Sequence, residues 1–185
     1  MQEVREMSIL SPEEALKKEL EQDQVEHDHH HPTAAAMTNH VVANLAILWT
    51  KLHQYHWYVK GSEFLTLHEK FEQLYREAAN WYDKIAETLL AIDAKPFSTT
   101  EQNMKYTFLE ESAANKYLPA HDMVANIVDD FRMTRDVVQR AIKLAQEQDQ
   151  PVLEDVLIDF KGYLEKEIWM LQAFLGKTAL EDEEE

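Results

Sequence analysis

The amino-acid sequence predicts an all-α protein: a bundle of four long helices, with a short helix in the long crossover between the second and the third. Three observations carry this. Gly and Pro number only three and five among 185 residues, too few for the turns of an all-β chain. Apolar residues recur at helical spacing along four long stretches. Between the second and third of these, Asp93 to Leu118 is far longer than an ordinary bundle turn.

Residues 1–33 differ in composition from the rest, with nine acids, three bases and the run His27-Asp28-His29-His30-His31. They read as an N-terminal extension. Within it, Ser11-Pro12-Glu13-Glu14 offers a capping hydroxyl, a Pro at the first helical position and acids in the first turn, so a short polar helix is expected through about Leu20. The first core helix is expected from Ala34 to Tyr58, with Val41, Leu45, Leu48 and Leu52 on one stripe, stopping near Gly61. Ser62 is expected to cap the second, which runs to about Ile92. The crossover contains an amphipathic piece near Glu101 to Ser112 and is expected to traverse the bundle's length. The third helix, Pro119 to about Glu147, carries Val124, Ile127, Val128, Phe131, Val138 and Ile142. Pro151 opens the fourth, with Leu153, Val156, Leu157, Phe160, Leu164, Ile168 and Leu171. Two helix pairs joined by a long crossover make the ferritin-like arrangement. The bundle is therefore assigned to residues 34–177, and the acidic residues 178–185 to a disordered tail.

Composition narrows the function. There is no Cys, which removes disulfides, thiolate zinc sites and thiol nucleophiles. No apolar stretch is long enough to span a bilayer and no basic-then-apolar leader is seen, so a soluble, cytoplasmic protein is expected. A net charge of −17 works against binding phosphate backbones and suits the handling of cations, although acidity alone also serves solubility.

The second core helix holds the chemistry. With His68 set at 0° and about 100° per residue, Phe64, Leu67, Phe71, Leu74, Ala78, Tyr82, Ile85 and Leu89 fall between about 240° and 320°, the core stripe. Lys70, Gln73, Glu77, Lys84 and Thr88 fall near 140° to 200°, which reads as a solvated face. His68, Glu72, Asp83 and Glu87 lie at about 0°, 40°, 60° and 100°, on a third face shared with Leu65, Ala79, Ala86 and Leu90. Small apolar residues mixed with donor groups suggest contact with another chain. An acidic row on a helix otherwise marks hydration, but Asp83 and Glu87 repel each other and have no Lys facing them at the i, i+4 spacing.

His68 with Glu72, and Asp83 with Glu87, are each spaced i, i+4, so either pair can share an ion. The two pairs cannot share one within a chain, because Glu72 and Asp83 are about 16 Å apart along the axis. An antiparallel copy, with its two-fold axis near Glu77 and Ala78, brings His68/Glu72 of one chain against Asp83/Glu87 of the other and yields two equivalent sites per dimer. Imidazole with carboxylates suits Fe²⁺, Mn²⁺ or Zn²⁺ better than Ca²⁺.

The sequence resembles the Dps miniferritins. The resemblance runs from about Asn44 to Lys177 and rests on His56-Trp57-Tyr58-Val59-Lys60-Gly61, then Phe64, Leu67-His68-Glu69 and Phe71, then Asp83 with Ala86-Glu87, and Glu165 through Lys177. It implies a dodecamer of two-fold dimers around a cavity, storing iron oxidised by peroxide or oxygen. It also implies ferroxidase sites built from His56, His68 and Glu72 of one subunit and Asp83 and Glu87 of its mate, with Trp57 beside each as an electron donor. The other reading of Trp57 is interface packing. Glu72 departs from the family's usual Asp. The family's iron-admitting pores are acidic: Asp155 matches one lining position, Pro151 and Gln146 stand where acids are common, and Asp149, Glu154 and Asp159 are nearby acids. A solvated helix start is the plain reading of each.

Three alternatives follow from the same residues. A larger ferritin needs Glu-x-x-His on two core helices, and the only such spacing here is Glu26 to His29. A DNA-compacting shell would need the N-terminal tail, whose residues 1–31 carry more acids than bases, so DNA is disfavoured unless a metal bridges tail and phosphate. The run His27, Asp28, His29, His30, His31 is a candidate second metal site, with zinc as the natural ion.

Overall fold

In the computed structural model, residues 10–26 and 32–183 are described. Six α-helices are found among them: α1 Pro12–Glu26, α2 Ala34–Tyr58, α3 Phe64–Ala91, α4 Thr100–Tyr106, α5 Ala120–Glu147 and α6 Pro151–Phe174. A single 3-10 turn, Ala113–Tyr117, precedes α5. The four long helices form the bundle, α2 packing on α3 and α5 and α6 packing on α5 and α3.

The predicted stripes form its core. Val41, Leu45, Leu48 and Leu52 from α2, Ile127, Val128 and Val138 from α5, and Leu157, Phe160 and Leu164 from α6 are all buried. Each such side chain contributes about 1.5–3 kcal/mol by leaving water. Phe71, Leu74 and Ile85 complete the core from α3, but Phe64, placed on the same stripe by the wheel, is 37% exposed.

Helix ends follow local chemistry. Ser11 Oγ accepts from the Glu14 amide at 3.2 Å while the Glu14 carboxylate accepts from the Ser11 amide at 2.9 Å, a reciprocal cap. That start carries α1 beyond the expected Leu20, to Glu26. Thr33 caps α2 by accepting from the Ala36 amide at 3.0 Å. Ser62 does not cap α3; the N-cap is Glu63, and it makes no side-chain bond to the helix. Asp93 and Asp149, after α3 and α5, take positive φ of 62° and 53°. There the amides of Ala94 and Gln150 reach back to the Leu89 and Ala145 carbonyls, both at 2.9 Å, with Asp standing where Gly is commonest.

The crossover lies along α2, held by polar side chains that interrupt its apolar stripe. Asn39 donates to the Lys95 carbonyl and accepts from the Phe97 amide, Asn44 accepts from the Phe108 amide, and Lys51 donates to the Glu110 carbonyl. These partners advance in the same direction along both segments, so the crossover traverses the bundle as expected. Its helix is shorter than the expected Glu101 to Ser112: α4 ends at Tyr106, and Thr107 turns extended with its hydroxyl bonded to Asn44. Lys51 also pairs with Asp130 of α5 at 2.6 Å, both side chains being buried.

Two expectations need correction. The face of α3 read as solvated packs in part on α6: Lys70 pairs with the buried Glu167 at 2.6 Å and Thr88 is buried. A wheel drawn for one helix shows charge but not the opposite charge waiting on its neighbour. The acidic tail was expected to be disordered, yet as far as Glu183 it turns back on the bundle. Arg132 donates to the Glu181 carbonyl at 2.7 Å, and Arg135 pairs with Glu183 at 2.9 Å. Two arginines on α5 supply the counter-charge that the tail lacks within itself.

Candidate metal centre

The two histidines of the family motif meet at the turn joining α2 to α3. His56 lies in the last turn of α2 and is buried, and His68 lies in the second turn of α3. Their bonds are reciprocal: His56 Nδ1 lies 2.7 Å from the His68 carbonyl, and His68 Nδ1 lies 2.8 Å from the His56 carbonyl. The His56 carbonyl belongs to the last turn of α2, where carbonyls lack a helical donor, so the His68 ring satisfies it. Since a carbonyl only accepts, Nδ1 of each neutral ring carries the hydrogen. Each Nε2 is therefore left with a lone pair, the form that binds metal. The rings stack with centroids 3.7 Å apart and planes 19° from parallel.

Aromatic neighbours fix this corner from both sides. Phe64 stacks on His68 at 5.1 Å, and Tyr75 meets His56 edge-on at 5.4 Å. Tyr75 also stacks on His53 at 3.8 Å, and His53 lies 5.4 Å from Trp57. Trp57 is 66% exposed, next to the corner on the outer side of α2. Sequence reasoning missed His53 and Tyr75. Their signal was readable in part, since His53 and Trp57 are spaced i, i+4 on α2.

The acids are arranged differently. Glu72 is half-buried and accepts from Arg76 Nε at 3.0 Å, with Arg76 Nη2 on the same oxygen. The carboxylate in turn raises Arg76 above its usual range. Asp83 and Glu87 are exposed on the same unbroken helix, about 16 Å further along by helical rise. Leu65 and Leu90, near the two ends of this face, are 79% and 57% exposed, and Ala79 between them is exposed as well. Among the described residues, no three His, Asp or Glu side chains of one chain come together closely enough to hold an ion.

The remaining predicted residues fall elsewhere. Asp149, Glu154 and Asp155 gather around the α5–α6 turn and the start of α6, where Glu154 accepts from Gln146 at 2.6 Å. Asp159, a turn further on, faces Lys84 at 3.7 Å. Gln148 ties this turn to the start of α2 by accepting from the Ala34 amide at 2.9 Å and donating to the Pro32 carbonyl. His27, Asp28, His29, His30 and His31 lie outside the described residues. No described helix is long and apolar enough to cross a membrane.

Comparison with known proteins places the fold in a family. A ferritin-like domain matches residues 35–180. The DNA protection during starvation protein of Listeria monocytogenes is 41% identical over 143 residues, 77% of this chain and 92% of that one. The crystal structure of Lactococcus lactis DpsB superposes with a TM-score of 0.84 at 31% identity, covering 90% of this chain and 95% of that one. Listeria innocua Dps soaked with zinc superposes with a TM-score of 0.76 at 39% identity, covering 80% of this chain and 99% of that one.

Proposed function

The chain belongs to the Dps family of ferritin-like proteins, and from that premise we propose that it is a ferroxidase subunit of a hollow, iron-storing homododecamer. Fe²⁺ is its substrate and its cargo. The observation that carries this reading is the reciprocal histidine corner, which leaves two Nε2 lone pairs at one end of α3, one helical turn from the half-buried Glu72 on a face that also exposes Leu65 and Leu90. A second copy laid antiparallel on that face covers the apolar residues and adds Asp83 and Glu87 to His56, His68 and Glu72. Two imidazoles and three carboxylates form a mixed nitrogen and oxygen set suited to Fe²⁺ and also to Zn²⁺.

In the reaction, two Fe²⁺ ions give up one electron each, and one hydrogen peroxide takes both electrons with two protons to become two waters. Removing both electrons at one site keeps peroxide from releasing hydroxyl radical. The chain's own task is to hold the ions together: the imidazoles fix their position and the carboxylates balance the growing charge. Trp57, next to His56 in the chain and 5.4 Å from His53, is proposed as an electron donor to the site. The acids Asp149, Glu154, Asp155 and Asp159 are proposed to line the pores that admit Fe²⁺ where subunits meet around the α5–α6 turn.

The test uses two inactive variants. A chain with His68→Ala and Glu72→Ala, and another with Asp83→Ala and Glu87→Ala, should each lose peroxide-driven Fe²⁺ oxidation as homo-oligomers. Co-assembled at random from dissociated subunits, they should regain up to about a quarter of the wild-type sites, because each mixed dimer keeps one intact site. Mixed shells, verified by native mass spectrometry, that show only parental activity would defeat the shared site.

A second role concerns DNA, the subject of the Listeria monocytogenes relative's name. With a net charge of −17, protection here is proposed to come from consuming Fe²⁺ and peroxide, and metal-free protein should leave duplex DNA unshifted on a gel at moderate salt. A shift that appears only with added Zn²⁺ and vanishes when His27, His29, His30 and His31 are replaced by Ala would assign the His run as a zinc site that bridges tail and phosphate.

A further inference from the structure

The face of α3 that gathers the metal ligands carries one cation. Arg76 lies at about 80° on the wheel that places Asp83 at 60° and Glu87 at 100°, and it follows Glu72 by one helical turn. Both side chains are partly open to water, 67% for Arg76 and 37% for Glu72. An i, i+4 pair of this kind on an ordinary helix surface contributes little. This pair differs in two respects: its carboxylate is a proposed iron ligand, and Arg76 stands on α3 within two residues of Glu77 and Ala78, where the two-fold axis is expected. When a second copy covers this face, both Arg76 side chains lose water and neither can shed its charge, since a guanidinium does not deprotonate.

We propose that Arg76 is a built-in competitor for the ferroxidase site, holding Glu72 in the metal-free shell and releasing it only when a divalent cation is bound. The proposal rests on the shared-site reading. Glu72 lies four residues from both His68 and Arg76, and its extra methylene lets one carboxylate serve either neighbour, which a shorter Asp does less well. Glu72 and Arg76 are therefore one unit. With neutral imidazoles, three carboxylates give the site a charge of −3, and Arg76 reduces this to −2. The expected result is a site that resists weakly held cations and loads only when the incoming ion gains more from Glu72 than Arg76 loses.

The experiment titrates assembled full-length shells with Co²⁺, which binds without being oxidised by the protein, following its visible absorption together with calorimetry. Arg76→Gln should tighten Co²⁺ binding about threefold to fivefold, the range an exposed ion pair spans at its upper end. In a Glu72→Asp background the same change should give less than about twofold, because the pair is already weakened. Equal tightening in both backgrounds, or none in the native one, with shells intact by sedimentation, overturns the proposal. Should Arg76→Gln disturb assembly, Arg76→Lys decides, since Lys keeps the charge but loses the planar fork; about twofold tightening is expected, and an unchanged affinity overturns the idea. His68→Ala separates the two readings. If it leaves Co²⁺ binding unchanged, the shared site falls and Arg76 with it; if it removes the binding while Arg76→Gln does nothing, only the role of Arg76 falls.

Discussion

The imidazole and carboxylate parts of the candidate site are built on opposite principles. At the α2–α3 turn, His56 and His68 are stacked and each bonded to the other's main chain, so one subunit folds them into working form. Along α3, Asp83 and Glu87 stand exposed and Glu72 is engaged by Arg76. Nitrogen ligands need orientation, because a ring nitrogen offers a single lone pair in one direction. Carboxylates offer several lone pairs on a freely turning arm and can be placed later, by the second chain. In the proposed shared site, the difference would make one half the work of folding and the other half the work of assembly.

The largest effect is expected at the folded half. His68→Ala should lower peroxide-driven Fe²⁺ oxidation by about a hundredfold or more and also lower subunit stability by about 1 kcal/mol through the lost ring bond to the His56 carbonyl, read from denaturant unfolding. Activity lost with stability untouched would show that the corner is not part of the fold's support. The Lys51–Asp130 pair is the contrasting case of a carboxylate whose partner lies within its own chain. Burial pushes Asp130 up to about 6, against the pull of Lys51 2.6 Å away. The folded state then keeps a proton that the unfolded chain has lost. Stability should therefore fall, relative to Asp130→Asn, as pH rises from about 4 to about 6 and level off above, by on the order of 3 kcal/mol. Parallel stability curves for the two proteins across that range would contradict it.

The assembled half should behave in reverse. Asp83→Ala with Glu87→Ala should abolish oxidation yet change subunit stability by no more than about 0.5 kcal/mol, because both side chains are exposed. A large loss of stability would mean that these acids support the fold. Smallest of all, and away from both halves, Asp93→Gly should stabilise the chain by about 0.5–1 kcal/mol, since Gly adopts the positive φ at that helix end without strain. No gain in unfolding midpoint would show that Asp93 makes a compensating bond.

How much of this was legible in the sequence depends on how many chain segments each feature involves. The four long helices and most of their buried stripes could be read, because periodicity is a property of one segment. The ligand face of α3 could be read for the same reason, but Arg76, which falls at about 80° on that face, was overlooked. Pairings between distant segments could not be read. Lys51 with Asp130, Lys70 with Glu167, and Arg135 with Glu183 each join two elements whose mutual register no single-helix pattern contains. Asn44 interrupts an apolar run of α2 by sequence, and only the fold shows it to be an anchor for the crossover. Phe64 shared the core stripe by angle but sits in the first turn of α3, where the histidine corner rather than the core receives it.

The reciprocal histidine bonds have a consequence for the timing of iron uptake. Each ring has used its N–H on the other's main chain, so the rotational freedom of both side chains is surrendered when the subunit folds. An arriving ion therefore meets a surface already set, and what remains to adjust is the reach of a few acidic arms. Loading should leave the path of the backbone unchanged, and a full shell should present the same outer contour as an empty one. A store of the proposed kind would fill without announcing its contents to whatever touches it from outside.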